Sequence, residues 1–500
     1  MKRKPSHTPP GHKKQRHPPS RKKAAKKKIT PIPKSGIAKH LFALFFFLFA
    51  WLLYGNTIVE HTASDGWLIP GNFSHQPIAG FTFKIEHYFL GDQTIFSHIF
   101  NVSLYGVLLI LLFFTLKRLL KNYNILFPFL ITMLFAAHPV HTEVVANLNY
   151  RGEMLAFFFG IAGLWLFIRY AEKRERRFLY FAGLTFLTGY LCSSSILPFL
   201  LLYPLTLYFI TGALSRKSLL LLVSTLLSIF VLHFLLRFVF FPAPQPPGFI
   251  ENPLFFQKNL WIRIGTGWTT LLFYLRIMIY PIPLLYYYGY DMIQVTNMSN
   301  WRVPFSSFLY FVLFIIAIWK IRNKKFLSFA IFWYLIAIVF YSNIIFPVQG
   351  IVGERYVFNA SLGFCMAVIT LIFSIFRTDP KSLTIEMDVR LKILASVILV
   401  LVPYATLTLT RNHDWRNLSD LYHDDIQYLD KSVKANVDMG SFYLSGNDTV
   451  KAIRYFEKAV ALYPDPQRCE QLHDLLLLRG ENQRATYYHR LGIGSKQPLH

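Results

Sequence analysis

The sequence predicts an all-α protein that crosses a membrane many times and carries a short helical module after the last crossing. Three observations predict it. Hydrophobic residues make up 54% of the 500 positions and aromatic ones 17%, against the roughly 45–50% apolar share of soluble domains. The excess is gathered into runs of about 17–22 residues, the length an α-helix needs to cross the hydrocarbon core. The positive charge, +26 in all, is concentrated in the N-terminal segment and at the ends of the apolar runs.

Residues 1–36 open the chain, and 1–35 carry Lys and Arg throughout with no acid. Such a segment lacks the apolar surface to fold alone. It reads as a disordered cytoplasmic tail that sets topology and touches anionic lipid, not as a nucleic-acid binder, because an apolar run follows at once. That run, Ile37 to Tyr54, lacks a small-residue cleavage site and is expected to stay as a helix. Further runs lie near 99–116, 125–137, 153–168, 178–192, 196–212, 218–240, 305–319, 326–345, 357–376 and 392–409.

Basic clusters at 117–121, 169–177, 216–217, 320–325 and 377–392 are assigned to the cytoplasm by the positive-inside rule. The first loop is then external. Residues 241–304 must begin and end on the external side, so the apolar stretch 263–280 is in-plane, re-entrant or half of a hairpin. This gives about eleven crossings within 37–410 and puts residues 411–500 outside. From Arg411 onward amphipathic helix periods replace the apolar runs. Met439, Gly440 and Tyr443, then Ala452, Phe456, Ala459 and Pro464, have the offsets of one tetratricopeptide repeat. Leu472 to Leu491 makes a degenerate second one. So short an array cannot stand alone and is expected to pack on the membrane domain or a partner.

The external loops hold the chemistry. The first, Asn56 to Pro77, places Asp65-Gly66-Trp67 between His61 and His75. Asp65 is a functional candidate by its place beside a membrane, or a cap or turn residue. The next holds His138-Pro139-Val140-His141-Thr142-Glu143, then Asn147, Asn149, Arg151 and Glu153. Two imidazoles three apart with a nearby carboxylate suit a metal, a hydrogen-bonded cap, or a sugar or phosphate contact. Glu354-Arg355 reads as a buried ion pair, or as an Arg for a lipid phosphate held by its neighbour. Tyr286-Tyr287-Tyr288-Gly289-Tyr290-Asp291 reads as an interfacial aromatic belt, or as a surface that stacks on a sugar or packs a lipid tail. Arg411-Asn412-His413-Asp414-Trp415 is the last such set. The three cysteines, Cys192, Cys365 and Cys469, have neither metal spacing nor a disulfide framework.

Taken together and in order, HPVHTEVVANLNYRGEML, ENPLFFQKNLWIRIGTGWTTLLFYLRIMIYPIPLLYYYGYDMI, GERYVFNASLGFC, RNHDWRNLSDLYHDDI and KAIRYFEKAVALYP resemble the TMTC family (transmembrane and tetratricopeptide-repeat containing proteins), more closely its bacterial relatives, over about residues 40–465. The resemblance implies a GT-C-like bundle of about eleven transmembrane helices with a short TPR-like module. It implies inverting transfer of a mannose-like hexose from a polyprenyl-phosphate donor to a protein Ser/Thr or envelope glycan, on the periplasmic face of a bacterial inner membrane, with the N-terminus cytoplasmic.

Asp65 aligns with the first of the family's two acidic loop residues and is the expected base. Arg355 is expected at the leaving phosphate with Glu354 positioning it, and Arg151 stands second to Arg355. His138, His141 and Glu143 are expected near phosphate or sugar, and Tyr288, Tyr290 and Asp291 near acceptor or lipid. No residue is assigned to a metal, and a requirement for a divalent ion stays open. Expected partners are membrane lipid, the lipid-linked sugar, and an acceptor or other protein at the repeats. Three positions depart from the family pattern: Gly66 replaces the second acid, Gln76 an Arg, and Ser193-Ser194-Ser195 a Ser-Lys-Glu-like motif. They keep a second reading in view, a catalytically silent relative acting as a scaffold.

Overall fold

The computed structural model describes residues 36–59, 76–211, 248–290, 292–321 and 325–494, with residue 1 and scattered positions between 220 and 235. Asp65, Gly66, His61, His75 and Asp291 lie outside the described residues, as does most of the run at 218–240. The chain divides into two units, 1–41 and 42–500. Of the first, residue 1 and the opening of the first helix are described.

In chain order the helices are α1 (Gly36–Tyr54), α2 (Pro77–Leu90), α3 (Thr94–Leu119), α4 (Leu126–Ala136), α5 (Thr142–Ala146), α6 (Arg151–Lys173), α7 (Arg176–Cys192) and α8 (Phe199–Thr211). They continue with α9 (Leu260–Ile279), α10 (Arg302–Ile321), α11 (Phe326–Val339), α12 (Phe358–Ile375) and α13 (Met387–Asp414). Five shorter helices end the chain: α14 (Leu418–Ile426), α15 (Val433–Ser445), α16 (Thr449–Leu462), α17 (Pro466–Leu478) and α18 (Asn482–Gly494).

Among the described residues, six helical stretches are long and apolar enough to cross a membrane, those of α1, α3, α6, α10, α12 and α13. A seventh is counted if α4 and the following bent segment form one broken span. The bend is 57° and its cause is local. Pro139 cannot donate to the turn before it, and it holds His138 extended at φ −70, ψ 123. Three more expected runs are the shorter helices α7, α8 and α11. The 263–280 stretch is α9, which is not among the spans; Arg263, Arg276 and three threonines lower its hydropathy.

Hydrogen bonds show which loops share an end of the bundle. Arg118 pairs with Glu172, and Asn124 donates to the carbonyls of Ser382 and Leu383, so three of the basic clusters meet at one end. At the other, Asn412 on α13 donates to the Leu53 carbonyl and the Asn56 side chain at the exit of α1. The first loop and the C-terminal helices therefore leave the bundle at the same end.

Inside, aromatic rings and glycines set the spacing. A Cβ on Gly160 would come within 2.4 Å of the Phe199 ring, and one on Gly163 within 2.2 Å of the Tyr203 hydroxyl. Close approach of this kind replaces the hydrophobic drive that lipid does not supply. In the C-terminal helices Ser432, Asp448 and Asp465 each accept a backbone N–H at a helix start. Gly440 lies against the Phe456 ring, and α15–α16 and α17–α18 form two successive hairpins.

One helix has no counterpart in the sequence reading. Where a plain loop is expected before residue 99, Pro77 opens α2 at its first position. Phe81, Ile85, Tyr88 and Phe89 stay exposed along α2, while Glu86 reaches inward. The charges of Lys84, Glu86 and His87 kept it from reading as apolar.

Candidate active site

The site is built from the α11–α12 connection. Asn343 sits at φ 62 and folds that connection on itself, donating to the Ile351 carbonyl and accepting from the Val348 N–H. Gly350 at φ 76 makes the turn that only glycine takes without strain. The chain then enters α12 through Glu354–Val357. Arg355 is clamped there. Its backbone N–H and its Nη1 both donate to the Glu143 carboxylate, at 2.7 and 2.6 Å. Its Nη2 donates to the Tyr356 hydroxyl at 3.2 Å, and its guanidinium lies 4.7 Å from the centre of the Tyr150 ring. The planar fork is held on three sides.

The carboxylate that positions Arg355 is thus Glu143, not Glu354. Adjacent residues at a helix start point in different directions, and Glu354 turns into the protein. Its Oε1 accepts from the Leu285 N–H at 2.9 Å and from the Tyr288 hydroxyl at 3.0 Å. Asp425 fixes the next residue. It accepts the Tyr286 N–H at 2.8 Å while receiving two bonds from Arg411, at 2.7 and 2.9 Å. Tyr286 then donates to Asp438 on α15, and Tyr287 to Glu251. The tyrosine run is therefore packed inside the protein: Tyr286 is 8% exposed and Tyr288 3%. Burial first, and then the carboxylates of Asp438, Glu251 and Glu354, raise the hydroxyls of Tyr286, Tyr287 and Tyr288 well above the usual phenol range. They remain neutral donors.

These parts surround a cavity of about 200 Å³ lined by Tyr150, Tyr286, Tyr287, Tyr288, Arg355, Glu251, Lys434 and Asp438 among others. It is smaller than the roughly 300–1,000 Å³ of a drug-sized site. It offers room for one small polar group between aromatic rings, such as a sugar ring.

The other expected residues lie elsewhere. His138 is buried, its Nε2 at 3.1 Å from the Met278 carbonyl. His141 bridges the Tyr105 hydroxyl and Ser361 at 2.9 and 2.8 Å. Both are buried and hydrogen-bonded within the protein. Arg151 is fully buried and gives its donors to Glu86, Asn101, Thr82 and the Ser97 carbonyl. Tyr290 packs at a tilt against Phe249 and edge-on against Tyr463. Among the described residues no group of three or more His, Cys, Asp or Glu is placed to hold a metal ion.

Glu251, Asp425, Lys434 and Asp438 escaped the sequence reading. Asp425, Lys434 and Asp438 sit in polar surroundings where nothing marks one charge above its neighbours, whereas Glu251, the one acid between Glu175 and Asp291, stands alone in a proline-rich apolar stretch, a signal that could have found it. Glu153, at the start of α6, takes a hydrogen bond from Ser193 at 2.9 Å, so the altered serine motif adjoins a carboxylate.

No protein-family model matches the chain. Among curated proteins, it is similar to a Caenorhabditis elegans protein O-mannosyl-transferase, 24% identical over 397 residues, which is 78% of this chain and 54% of the relative. It is also similar to human protein O-mannosyl-transferase TMTC1, 22% identical with 78% and 48% covered, and to human protein O-mannosyl-transferase TMTC4, 23% identical with 77% and 57% covered. The chain spans about half the length of these relatives. The similarity supports a TMTC-like relationship at low identity.

Proposed function

We propose that the chain is a membrane glycosyltransferase. It moves a mannose-like hexose from polyprenyl phosphate to a protein Ser/Thr hydroxyl, or to an envelope glycan, on the external face of a bacterial inner membrane. The observation that carries this reading is the tyrosine-lined pocket with a clamped Arg355 in its wall, at the end of the bundle where the first loop and the C-terminal helices emerge. The similarity to protein O-mannosyl-transferases supports it.

In the proposed reaction the acceptor oxygen attacks the anomeric carbon as the bond from that carbon to the phosphate oxygen breaks. Asp65 takes the hydroxyl proton. The polyprenyl phosphate leaves with the electron pair, and Arg355, held by Glu143, meets its charge. Glu354 serves the pocket indirectly, through Tyr288.

The test is a comparison of envelope glycoproteins by mass spectrometry between cells with the wild-type gene, without it, and with Asp65→Asn or Arg355→Met. Loss of the same hexose-modified peptides in the last three, with the protein still inserted, is the expected result. A wild-type pattern in both variants sinks the enzyme reading and leaves the scaffold.

A further inference from the structure

The pocket's charges do not cancel. Arg355 is matched by Glu143, and Lys434 by Asp438 at 3.3 Å. Glu251 has no cationic partner among the described residues; the Tyr287 hydroxyl, at 3.1 Å, orients its carboxylate. The two sets of residues also come from different parts of the chain. Arg355 and Tyr150 belong to the starts of transmembrane helices. Glu251 precedes α9, and Lys434 and Asp438 lie one turn apart on α15. Lys434 spans 5.5 Å to the Tyr287 ring centre, so the α15 pair, Tyr287 and Glu251 form one continuous patch. An anion reaching this patch meets two carboxylates. A cation finds one that is oriented and, among the described residues, without a cationic partner.

We propose that this patch holds the acceptor as a polypeptide with Lys or Arg beside the modified Ser or Thr, the cation pairing with Glu251 and the backbone lying along Tyr287 and α15. The inference rests on the glycosyltransferase reading and adds to it the acceptor's class and the residue that selects it. It makes α15 part of the substrate site.

The experiment uses the full chain in lipid nanodiscs, mannosyl polyprenyl phosphate as donor, and two Ser/Thr peptides that differ by Lys or Glu next to the acceptor residue. Wild type is expected to favour the Lys peptide by about tenfold in kcat/KM, the scale of one charge-assisted contact. Glu251→Gln should bring the two within about twofold, and Glu251→Lys should reverse the preference. Equilibrium binding of the same peptides, labelled and read by fluorescence anisotropy, follows the patch without turnover. Equal use of both peptides by wild type, or a preference that Glu251→Lys does not change, overturns the inference and leaves the enzyme reading standing. Binding of the Lys peptide that depends on Glu251, with no transfer to either, does the reverse.

Discussion

Arg151 offers the sharpest test of a residue's role. It lies at the start of α6, where sequence alone suggests a phosphate contact, yet its side chain is fully buried. Nε donates to Asn101 at 2.6 Å, Nη1 to Glu86 at 2.5 Å and Thr82 at 3.0 Å, and Nη2 to Glu86 at 3.2 Å and the Ser97 carbonyl at 3.0 Å. The guanidinium also lies 3.6 Å from the centre of the Phe83 ring. Thr82, Phe83 and Glu86 all belong to α2, so the side chain pins that helix to α3 and α6. Arg151→Met leaves the half-buried Glu86 carboxylate without a cation. Breaking a buried pair from one side costs about 3–5 kcal/mol, over a hundredfold in the folding equilibrium. Arg151→Met with Glu86→Gln removes both charges and is expected to recover most of that, to within about 1–2 kcal/mol of wild type. Unfolding free energies from steric trapping in bicelles give the cycle, and sugar transfer in the same bicelles gives its functional half. An anchor predicts that the double variant regains transfer with stability. A single variant costing less than about 1 kcal/mol, or a double variant that is stable yet inactive, refutes the anchoring role and returns Arg151 to the donor.

Other outcomes follow from the same geometry. Glu143→Gln keeps the shape but not the charge that clamps Arg355. Transfer should fall at least about tenfold, by the loss of one charge-assisted pair, with Glu354→Gln smaller in kcat and larger in thermal stability. Tyr288→Phe should cost about 1–3 kcal/mol, because Glu354 loses a buried donor, read as a lower midpoint of thermal aggregation. Asp425→Ala removes two hydrogen bonds from Arg411, leaving it Asp414 at 3.0 Å, and frees the Tyr286 N–H. The lost charge-assisted bonds and the unsatisfied buried donor are expected to cost about 2–4 kcal/mol and to expose the 415–494 helices to limited proteolysis. The raised hydroxyls of Tyr286 and Tyr287 set an alkaline limit. A phenol held protonated by the fold adds stability below the unfolded value of about 10 and loses it as pH rises past that. The fall in stability between pH 9 and 11 should therefore be shallower in Tyr286→Phe/Tyr287→Phe than in wild type.

Much of the framework was legible in the chain because it is one-dimensional. Apolar length alone marks α1, α3, α6, α12 and α13, and the predicted run at 153–168 lies within α6. Pro139 marks the break between α4 and α5, and the offset of Gly440 from Phe456 marks the α15–α16 hairpin. Three of the five basic clusters, those at 117–121, 169–177 and 377–392, meet at one end through the hydrogen bonds of Arg118 and Asn124. α2 was not legible, since its charges hide a helix whose one inward acid matters more than its hydropathy.

Partner choice was decided only in three dimensions. Glu354 and Glu143 are both acids near an Arg in the sequence, and Glu354 is adjacent to Arg355. Adjacency loses because neighbouring side chains at a helix start diverge, while Glu143, 212 positions away, is brought to the guanidinium by the packing of α5 against the start of α12. The same holds for Glu251 and Asp438, which are ordinary surface acids until folding sets them on either side of Tyr287 and Tyr286. Sequence by itself determined which segments are long and apolar enough to cross a membrane, because that depends on composition and length alone. Tertiary structure decided which charges are scaffold and which face the pocket, because an ion pair depends on distance across the fold.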